Sequence, residues 1–321
     1  MTAKIQDALL GLAVGDALGV PVEFKSRETL RAAPVTGMIG YGSHGQAPGT
    51  WSDDSSLAFC LAESLCRGYN LKDLANRFVN WYRQGYWGAH YEVFDIGNAT
   101  AQAIRHLEQG VEPTQAGGTN DWSNGNGSLM RILPLAFYIK GQALEKRYQT
   151  TVAVSALTHG HIRSMACCFL YVEWAIELIN GADKFTAFNK AQQTVRAFLD
   201  QAALLDAKEQ IVLQRLLNES AEDWAQLDEK SIQSSGYVVH TLEASVWCIL
   251  SANNYAETVL KAVNLGEDTD TTGAVAGGLA GLVYGAAQIP TPWLDELARK
   301  EDIIDLSVRF ADALKHVENN K

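Results

Sequence analysis

The sequence lacks the features of secreted and membrane-spanning proteins. It has five cysteines in 321 residues, an odd number, and no CxxC pair of the kind that binds zinc. We therefore expect reduced thiols in the core of a cytoplasmic protein. The N-terminal stretch lacks the basic-then-apolar order of a signal peptide. The longest apolar run, residues 273–289, is rich in Gly and Ala and marginal for a membrane span, so we interpret it as a buried helix.

Basic residues are also scarce. The chain has 26 Lys and Arg against 37 Asp and Glu, which gives a net charge of −11. Nucleic-acid binding requires a basic surface, so we expect no nucleic-acid partner. A small anionic ligand is still compatible with this charge, because backbone N–H groups and metal ions also bind phosphates.

Strand patterns are nearly absent, and helical periodicity dominates. Apolar residues recur at helical spacing in 55–68 and 73–85, and residues 164–181 are apolar nearly all round, as in a central helix. Further helical stretches are 183–202 and 207–220. No alternating pattern is longer than GYVVHT, residues 236–241. The sequence therefore predicts one all-α domain over residues 1–321, with roughly a dozen helices. Two long loops, 34–54 and 111–128, interrupt the helices, and such loops are usually functional.

Carboxylates cluster at the start of the apolar segment 273–289. Glu267, Asp268 and Asp270 fall within four residues. Burying neighbouring carboxylates is costly unless a positive charge compensates them. The cluster therefore indicates a bound cation, whereas its ordinary interpretation is helix capping.

A second acidic pair, Asp53 and Asp54, follows Ser52 at the start of another helical segment, and the same capping interpretation applies. Taken together, the two clusters offer six hard oxygen donors, which suit Mg²⁺, Ca²⁺ or Mn²⁺ rather than zinc, and which exceed the needs of one Mg²⁺. The six donors belong to Ser52, Asp53, Asp54, Asp268, Asp270 and Thr271.

Six segments in order along the chain resemble the motifs of the ADP-ribosylglycohydrolase family. They are GLAVGDALGVPVEF, TWSDDSSLAFCLAESL, FDIGNAT, NGNGSLMRILPLA, SALTHGH and GEDTDTTGAVAGGLAG. The resemblance covers nearly the whole chain. It implies an all-α orthogonal helical bundle with two Mg²⁺ or Mn²⁺ ions at the base of a cleft, held by the six donors above. Ser52 stands where the family usually has Thr, which keeps the hydroxyl oxygen.

The resemblance also implies roles for residues near the scissile bond. Glu23 matches a glutamate that approaches the metals or that bond, and Asp95 and Asn98 match residues near the substrate ribose. A carboxylate there can act as general acid or base, and we predict Asp95 first and Glu23 second as catalytic residues. The alternative for Asp95 is a helix N-cap, with Asn98 a polar residue of the first turn.

A glycine-rich loop offers a site for the diphosphate. The backbone N–H groups of Gly125, Asn126, Gly127 and Ser128 lead into a predicted helix at Leu129, and a helix start favours an anion. The alternative is a simple glycine-rich turn.

Two histidines and two aromatic residues are also candidates for ligand contacts or structural roles. The resemblance places His159 near the ligand, while we expect His161 to form structural hydrogen bonds. Trp122 and Tyr41 are interpreted as loop anchors, with adenine stacking as the alternative.

The implied activity is metal-dependent removal of ADP-ribose from a modified protein, most specifically cleavage of the N-glycosidic bond of ADP-ribosylarginine, with ADP-ribose as product. Alternatives are hydrolysis of serine-linked or polymeric ADP-ribose, action on a small ADP-ribose derivative or on modified nucleic acid, and a non-catalytic protein that binds ADP-ribose.

Overall fold

The computed structural model describes residues 1–319, and among them it contains helices and no β-strand. The predicted all-α fold class is thus confirmed. The helices are α1 (Thr2–Gly19), α2 (Arg27–Ala32), α3 (Asp53–Leu65), α4 (Leu71–Gln84), α5 (Asn98–Glu108), α6 (Leu133–Ile139), α7 (Leu144–Ala156), α8 (Ile162–Ile179), α9 (Lys184–Gln201), α10 (Ala207–Val212), α11 (Gln214–Asn218), α12 (Ala221–Gln226), α13 (Val238–Ser251), α14 (Tyr255–Asn264), α15 (Thr269–Tyr284), α16 (Thr291–Glu296) and α17 (Lys300–Asn319).

The expectation of roughly a dozen helices was too low, because short helices escape periodicity analysis. Helices α2, α10, α12 and α16 have six residues each and α11 has five, which is too short for an apolar stripe to repeat. The stretch 207–220, read as one helix, is divided at Leu213 into α10 and α11. The GYVVHT segment enters α13 at Val238 rather than forming a strand.

The end of α4 and the hydrogen bond of His161 agree with the sequence. Gly85 has φ 66° and forms the left-handed C-cap of α4, a conformation that glycine adopts without steric cost. His161 is the N-cap of α8 and its side chain accepts a hydrogen bond from the Arg163 backbone N–H, so the structural role expected for His161 is confirmed.

Helices α1 and α15 form the centre of the molecule and touch along their backbones. A Cβ on Gly15 would lie 2.0 Å from the Gly273 carbonyl oxygen, and one on Gly11 would lie 2.4 Å from the Gly277 oxygen. Side chains at these positions would push the two helices apart. The apolar run 273–289 is thus a core helix over most of its length, as predicted. By length and composition, Thr2–Val22 would also be able to cross a membrane, but 89% of its apolar 18-residue window is buried inside the protein.

Gly15→Ala is expected to lower the free energy of unfolding by about 3 kcal/mol, because the added methyl group overlaps a rigid backbone atom and the two helices must separate. Urea denaturation followed by circular dichroism measures the change. Gly141→Ala is the matched control, since nothing lies within 4 Å of a Cβ there. Equal effects of the two substitutions would contradict the close α1–α15 packing.

The five cysteines are free thiols; four are buried and Cys66 is half-buried. Burial raises the pKa of the Cys66 thiol to about 11 and that of the other four above the ordinary value of a cysteine thiol. A catalytic thiol requires the opposite shift, toward the thiolate. The cysteines therefore belong to the packing of the helices.

Candidate active site

The structure brings the two acidic clusters together, although more than 200 residues separate them in the chain. Ser52 is the N-cap of α3, and its hydroxyl donates to Asp54 Oδ2 over 3.0 Å. The Thr271 hydroxyl from the first turn of α15 donates to the same oxygen over 3.4 Å. The helix starts that carry the six predicted donors therefore meet at Asp54.

Helix α1 holds both helix starts in place. The carboxylate of Asp16 is fully buried and accepts hydrogen bonds from the Ser52 N–H over 2.9 Å and the Ser55 N–H over 3.0 Å. At the end of α1, Gly19 accepts from the Thr269 hydroxyl over 2.8 Å. A Cβ on Gly19 would lie 2.4 Å from the Asp270 Cα. Asp16 and Gly19 thus position the acidic clusters, and sequence analysis assigned neither of them this role.

The clustered carboxylates are buried with little compensation from the protein. Burial, and then the neighbouring carboxylates, raise the pKa of Asp53, Asp54 and Asp270 well above the ordinary value of an aspartate. Asp54 Oδ1 and Asp268 Oδ1 are buried and have no hydrogen-bond partner among the residues that the structure describes. Unpartnered buried carboxylate oxygens carry a large desolvation cost, and a bound cation would remove it.

A divalent cation fits this donor set. Glu23, Asp268 and Asp270 each offer an oxygen, and these oxygens lie within 4.8 Å of one another. Helix capping does not explain the cluster, because Asp268, the N-cap residue of α15, makes no side-chain capping bond. Oxygen donors from carboxylates and hydroxyls are the ligands that Mg²⁺ and Mn²⁺ prefer.

A cleft opens above the acidic clusters with a volume of ≈350 Å³, within the range of small-molecule sites. Asp53, Asp268 and Thr271 reach its floor. Its walls include Glu23, Asp95, Asn98, Gly125, Asn126, Gly127 and His159. No lysine or arginine of the described chain lines the cleft, so an anionic ligand must be held by neutral donors or by metal ions.

The edge of the cleft carries two carboxyl groups with a histidine beside them. His44 Nε2 hydrogen-bonds to Glu23 Oε2, and Glu23, His44 and Asp95 each have a polar atom within 4.8 Å of the others. Burial, followed by the charges of Asp95 and Asp268, raises the pKa of Glu23 to about 9. Burial also raises the pKa of Asp95. Both carboxyl groups are thus held toward the protonated form, which suits proton donation.

His44 was not identified from the sequence, although it lies in the long loop 34–54 that was predicted to be functional. The Ser43 N–H donates to the Pro21 carbonyl over 2.9 Å, and the Ser43 hydroxyl donates to the Glu23 carbonyl over 2.5 Å. The His44 ring lies beside Phe94, with ring centroids 5.3 Å apart. These contacts fix the histidine at the carboxyl pair.

Comparison with known proteins identifies the architecture around this cleft. Residues 1–320 match the model of the ADP-ribosylglycohydrolase family. The chain is 33% identical over 318 residues to the ADP-ribosylarginine hydrolase Tri1 of Pseudomonas putida (strain GB-1), covering 98% of this chain and 80% of the relative. The chain belongs to the ADP-ribosylglycohydrolase family.

Further relatives of this glycohydrolase agree with the assignment. It is 29% identical over 299 residues to the ADP-ribosyl-(dinitrogen reductase) glycohydrolase of Rhodospirillum rubrum, with 91% of this chain and 90% of the relative covered. A solved structure described as an ADP-ribosylglycohydrolase-related protein complex superimposes with a TM-score of 0.79 at 32% identity, covering 98% of both chains. The expected family and its enzymatic class, removal of ADP-ribose, are confirmed.

In this glycohydrolase Asp95 is not a helix cap. Helix α5 begins at Asn98, and its N-cap residue is Gly97 rather than Asp95. Asp95 lies before this turn, accepts from the Ile96 N–H and lines the cleft with Asn98. The capping alternative for Asp95 is therefore wrong, and its carboxyl group remains available to a substrate.

The glycine-rich loop differs from the prediction. The helix expected at Leu129 begins instead at Leu133, with Pro134 at a position that favours helix starts. The Asn126 N–H donates to the Gly236 carbonyl over 3.1 Å and is not free for a phosphate. The Ser128 hydroxyl is buried and accepts from Ser155 over 3.0 Å. Of this loop, Gly125, Asn126 and Gly127 line the cleft.

Asn126 has a different contact from the one predicted. Its side-chain amide donates to Asp268 Oδ2 and to the Thr241 hydroxyl, over 2.9 Å each. It therefore orients an acidic side chain at the floor of the cleft. Long-range contacts of this kind leave no pattern in the sequence.

The interpretation of Trp122 and Tyr41 as loop anchors is wrong, because the two residues are 96% and 73% exposed. Neither of them lines the cleft. Asp121, beside Trp122, instead links its loop to the protein through Lys208 and through His161 at 3.3 Å.

Proposed function

We propose that this glycohydrolase cleaves the N-glycosidic bond between the distal ribose of ADP-ribose and an arginine side chain of a modified protein. The observation that carries the proposal is the group of buried carboxylates with unpartnered oxygens at the floor of a cleft, next to the carboxyl pair of Glu23 and Asp95. The similarity to an ADP-ribosylarginine hydrolase supports arginine as the modified residue.

The metal site that we propose holds two Mg²⁺ or Mn²⁺ ions. When bound, the ions supply charge compensation and Lewis acidity at the floor of the cleft. The proposed ligands are the six oxygen donors of the two helix starts, Ser52, Asp53, Asp54, Asp268, Asp270 and Thr271.

The proposed reaction adds water across the bond from C1″ of the distal ribose to the guanidino nitrogen. The hydroxyl of the water joins C1″, and one proton goes to the leaving nitrogen. Asp95 delivers this proton and then regains one from the attacking water, because its carboxyl group faces the cleft and its pKa is raised by burial. Glu23 is the second acid–base group, and its hydrogen bonds with His44 and Asp270 restrict its movement.

Binding of the rest of the substrate relies on neutral donors along the cleft wall. We propose that Asn98 contacts the ribose and that Gly125, Asn126, Gly127, Ser128 and His159 surround the diphosphate region. For Asn126 and Ser128 the role is indirect, since their polar groups bond within the protein.

The proposed partner is an ADP-ribosylated protein in the cytoplasm, which is consistent with five free thiols. We also propose that residues 1–321 fold as a single domain. One continuous cluster of buried apolar residues, which runs from Ile5 to Leu314, supports this proposal.

Incubation with two peptides, one carrying ADP-ribosylarginine and one carrying ADP-ribosylserine, tests the substrate class. With Mg²⁺ or Mn²⁺ we expect ADP-ribose to be released from the arginine peptide at least about tenfold faster than from the serine peptide. A tenfold ratio of rates corresponds to a difference of about 1.4 kcal/mol in activation free energy. EDTA should stop the release. Chromatography of free ADP-ribose measures the rate. Faster cleavage of the serine peptide would contradict the arginine assignment, and unchanged activity in EDTA would contradict the metal site.

A further inference from the structure

A buried guanidinium group lies directly behind the wall of the cleft. Arg131 is fully buried, and its Nη1 donates to the Thr158 hydroxyl over 2.7 Å and to the Gly127 carbonyl. Its Nη2 donates to the Val154 carbonyl over 3.2 Å, and the guanidinium stacks 5.0 Å from the centre of the Phe78 ring. The family resemblance and the comparisons give this side chain no role.

The Thr158 hydroxyl connects Arg131 to His159. A guanidinium only donates hydrogen bonds, so the Thr158 oxygen must accept from Arg131. Within residues 1–315, the one remaining partner of that hydroxyl is His159 Nδ1, at 2.8 Å. The Thr158 oxygen has a second lone pair that can accept from Nδ1–H, but its own hydrogen would then be unpaired in the core, which is costly. The favoured arrangement therefore points the hydroxyl hydrogen at Nδ1, which acts as an acceptor. In a neutral imidazole the ring hydrogen must then be on Nε2.

The second nitrogen of the ring faces the cleft. A Cβ on Gly125 would lie 3.3 Å from His159 Nε2, and one on Gly127 would lie 2.8 Å from Cε1. Side chains at these two glycines would cover the ring. Among the described residues, no protein group hydrogen-bonds to Nε2, so an Nε2–H group is available to a ligand in the cleft.

The surroundings keep the imidazole neutral. Burial, followed by the charge of Arg131, lowers the pKa of His159 to about 3. Burial also lowers the pKa of Arg131, to about 10, so at neutral pH the guanidinium retains its charge. Because a guanidinium has no acceptor, the Thr158 hydroxyl hydrogen points away from Arg131.

We propose that Arg131 and Thr158 are positioning residues that fix His159 as a neutral Nε2–H donor to an oxygen of ADP-ribose. The inference rests on the proposed function for the identity of the ligand. It explains how a cleft without lysine or arginine presents an oriented donor to an anionic substrate. The acceptor is an oxygen of the diphosphate or of the distal ribose, and the affinity measurements below distinguish these two.

The tautomer of His159 is measured directly by nitrogen-15 NMR of the full-length protein with labelled histidine. Comparison with the spectrum of His159→Gln identifies the His159 signals. We expect the ring hydrogen on Nε2 and an unprotonated Nδ1. A spectrum with the hydrogen on Nδ1 would overturn the proposal, whatever the protein binds.

The contribution of Thr158 to binding is measured by calorimetric titration with ADP-ribose and with ADP in the presence of Mg²⁺. Thr158→Val removes the hydroxyl but keeps the shape of the side chain, and we expect the Kd for ADP-ribose to rise about 5- to 10-fold. Thr158→Ser restores the hydroxyl and should restore the affinity. An equal loss for ADP points to a diphosphate oxygen as acceptor, and a loss restricted to ADP-ribose points to the distal ribose.

Thr151→Val is the matched control, because the Thr151 hydroxyl is buried in α7 and no described residue forms a hydrogen bond with it. It should bind ADP-ribose as the unmodified protein does. If Thr158→Val also binds normally, the positioning of His159 by Arg131 and Thr158 is refuted while the proposed function stands. If the unmodified protein binds no ADP-ribose, the proposed function itself fails.

Discussion

Asp54→Asn is expected to lower turnover by about 10³-fold or more, because metal ions contribute several kcal/mol to catalysis of this kind. Asp54 Oδ1 is buried and has no partner within the described part of the chain, and Oδ2 accepts from both Ser52 and Thr271. The amide retains the shape of the side chain but loses the charge that the proposed ions require. Release of ADP-ribose at saturating Mg²⁺ measures the effect.

The same substitution should act in the opposite direction on the stability of the metal-free protein. Burial and then the charges of Asp16 and Asp53 raise the pKa of Asp54, so the folded state disfavours its ionised form. In EDTA, Asp54→Asn should therefore melt at the same temperature as the unmodified protein or higher. Added Mg²⁺ should stabilise the unmodified protein and leave the variant unchanged.

Asp200→Asn is the control for both effects. Asp200 is exposed, and its side chain forms a surface ion pair with Arg196 at 3.8 Å, which contributes little to stability. Normal activity of Asp54→Asn, or equal stabilisation of both proteins by Mg²⁺, would show that Asp54 does not bind the ion.

Asp95→Asn should reduce turnover by about 10²-fold or more, the usual effect of losing a general acid or base. The Kd for ADP-ribose should change little, because the floor and wall of the cleft remain intact. Glu23→Gln should have the smaller effect, since Glu23 is already engaged by His44 and Asp270. Single-turnover kinetics with an ADP-ribosylarginine peptide separate the chemical step from binding.

The opposite ranking would reverse the two roles. If Glu23→Gln abolishes turnover and Asp95→Asn leaves it near normal, Glu23 is the proton donor and His44 is its direct partner. The preference for arginine would then lose support, and the serine-linked peptide becomes the substrate to compare.

The sequence by itself determined the helical class and the family. Amphipathic and apolar periodicity are local properties, so long helices such as α4, α8 and α9 can be read directly. The two acidic clusters were visible for the same reason, because their members are neighbours in the chain. Short helices and the start of α6 were missed, since they depend on packing and on Pro134 rather than on periodicity.

Only the tertiary structure decided which groups meet. Asp16 reaches the start of α3, Asn126 reaches Asp268, and His44 reaches Glu23, each across a distance in the chain that no local pattern records. The Thr158 hydroxyl receives its direction from a guanidinium 27 residues away in the sequence. Hydrogen bonds and charges act over a few ångströms, so their partners are fixed only when the helices pack, here around the glycine backbones of α1 and α15.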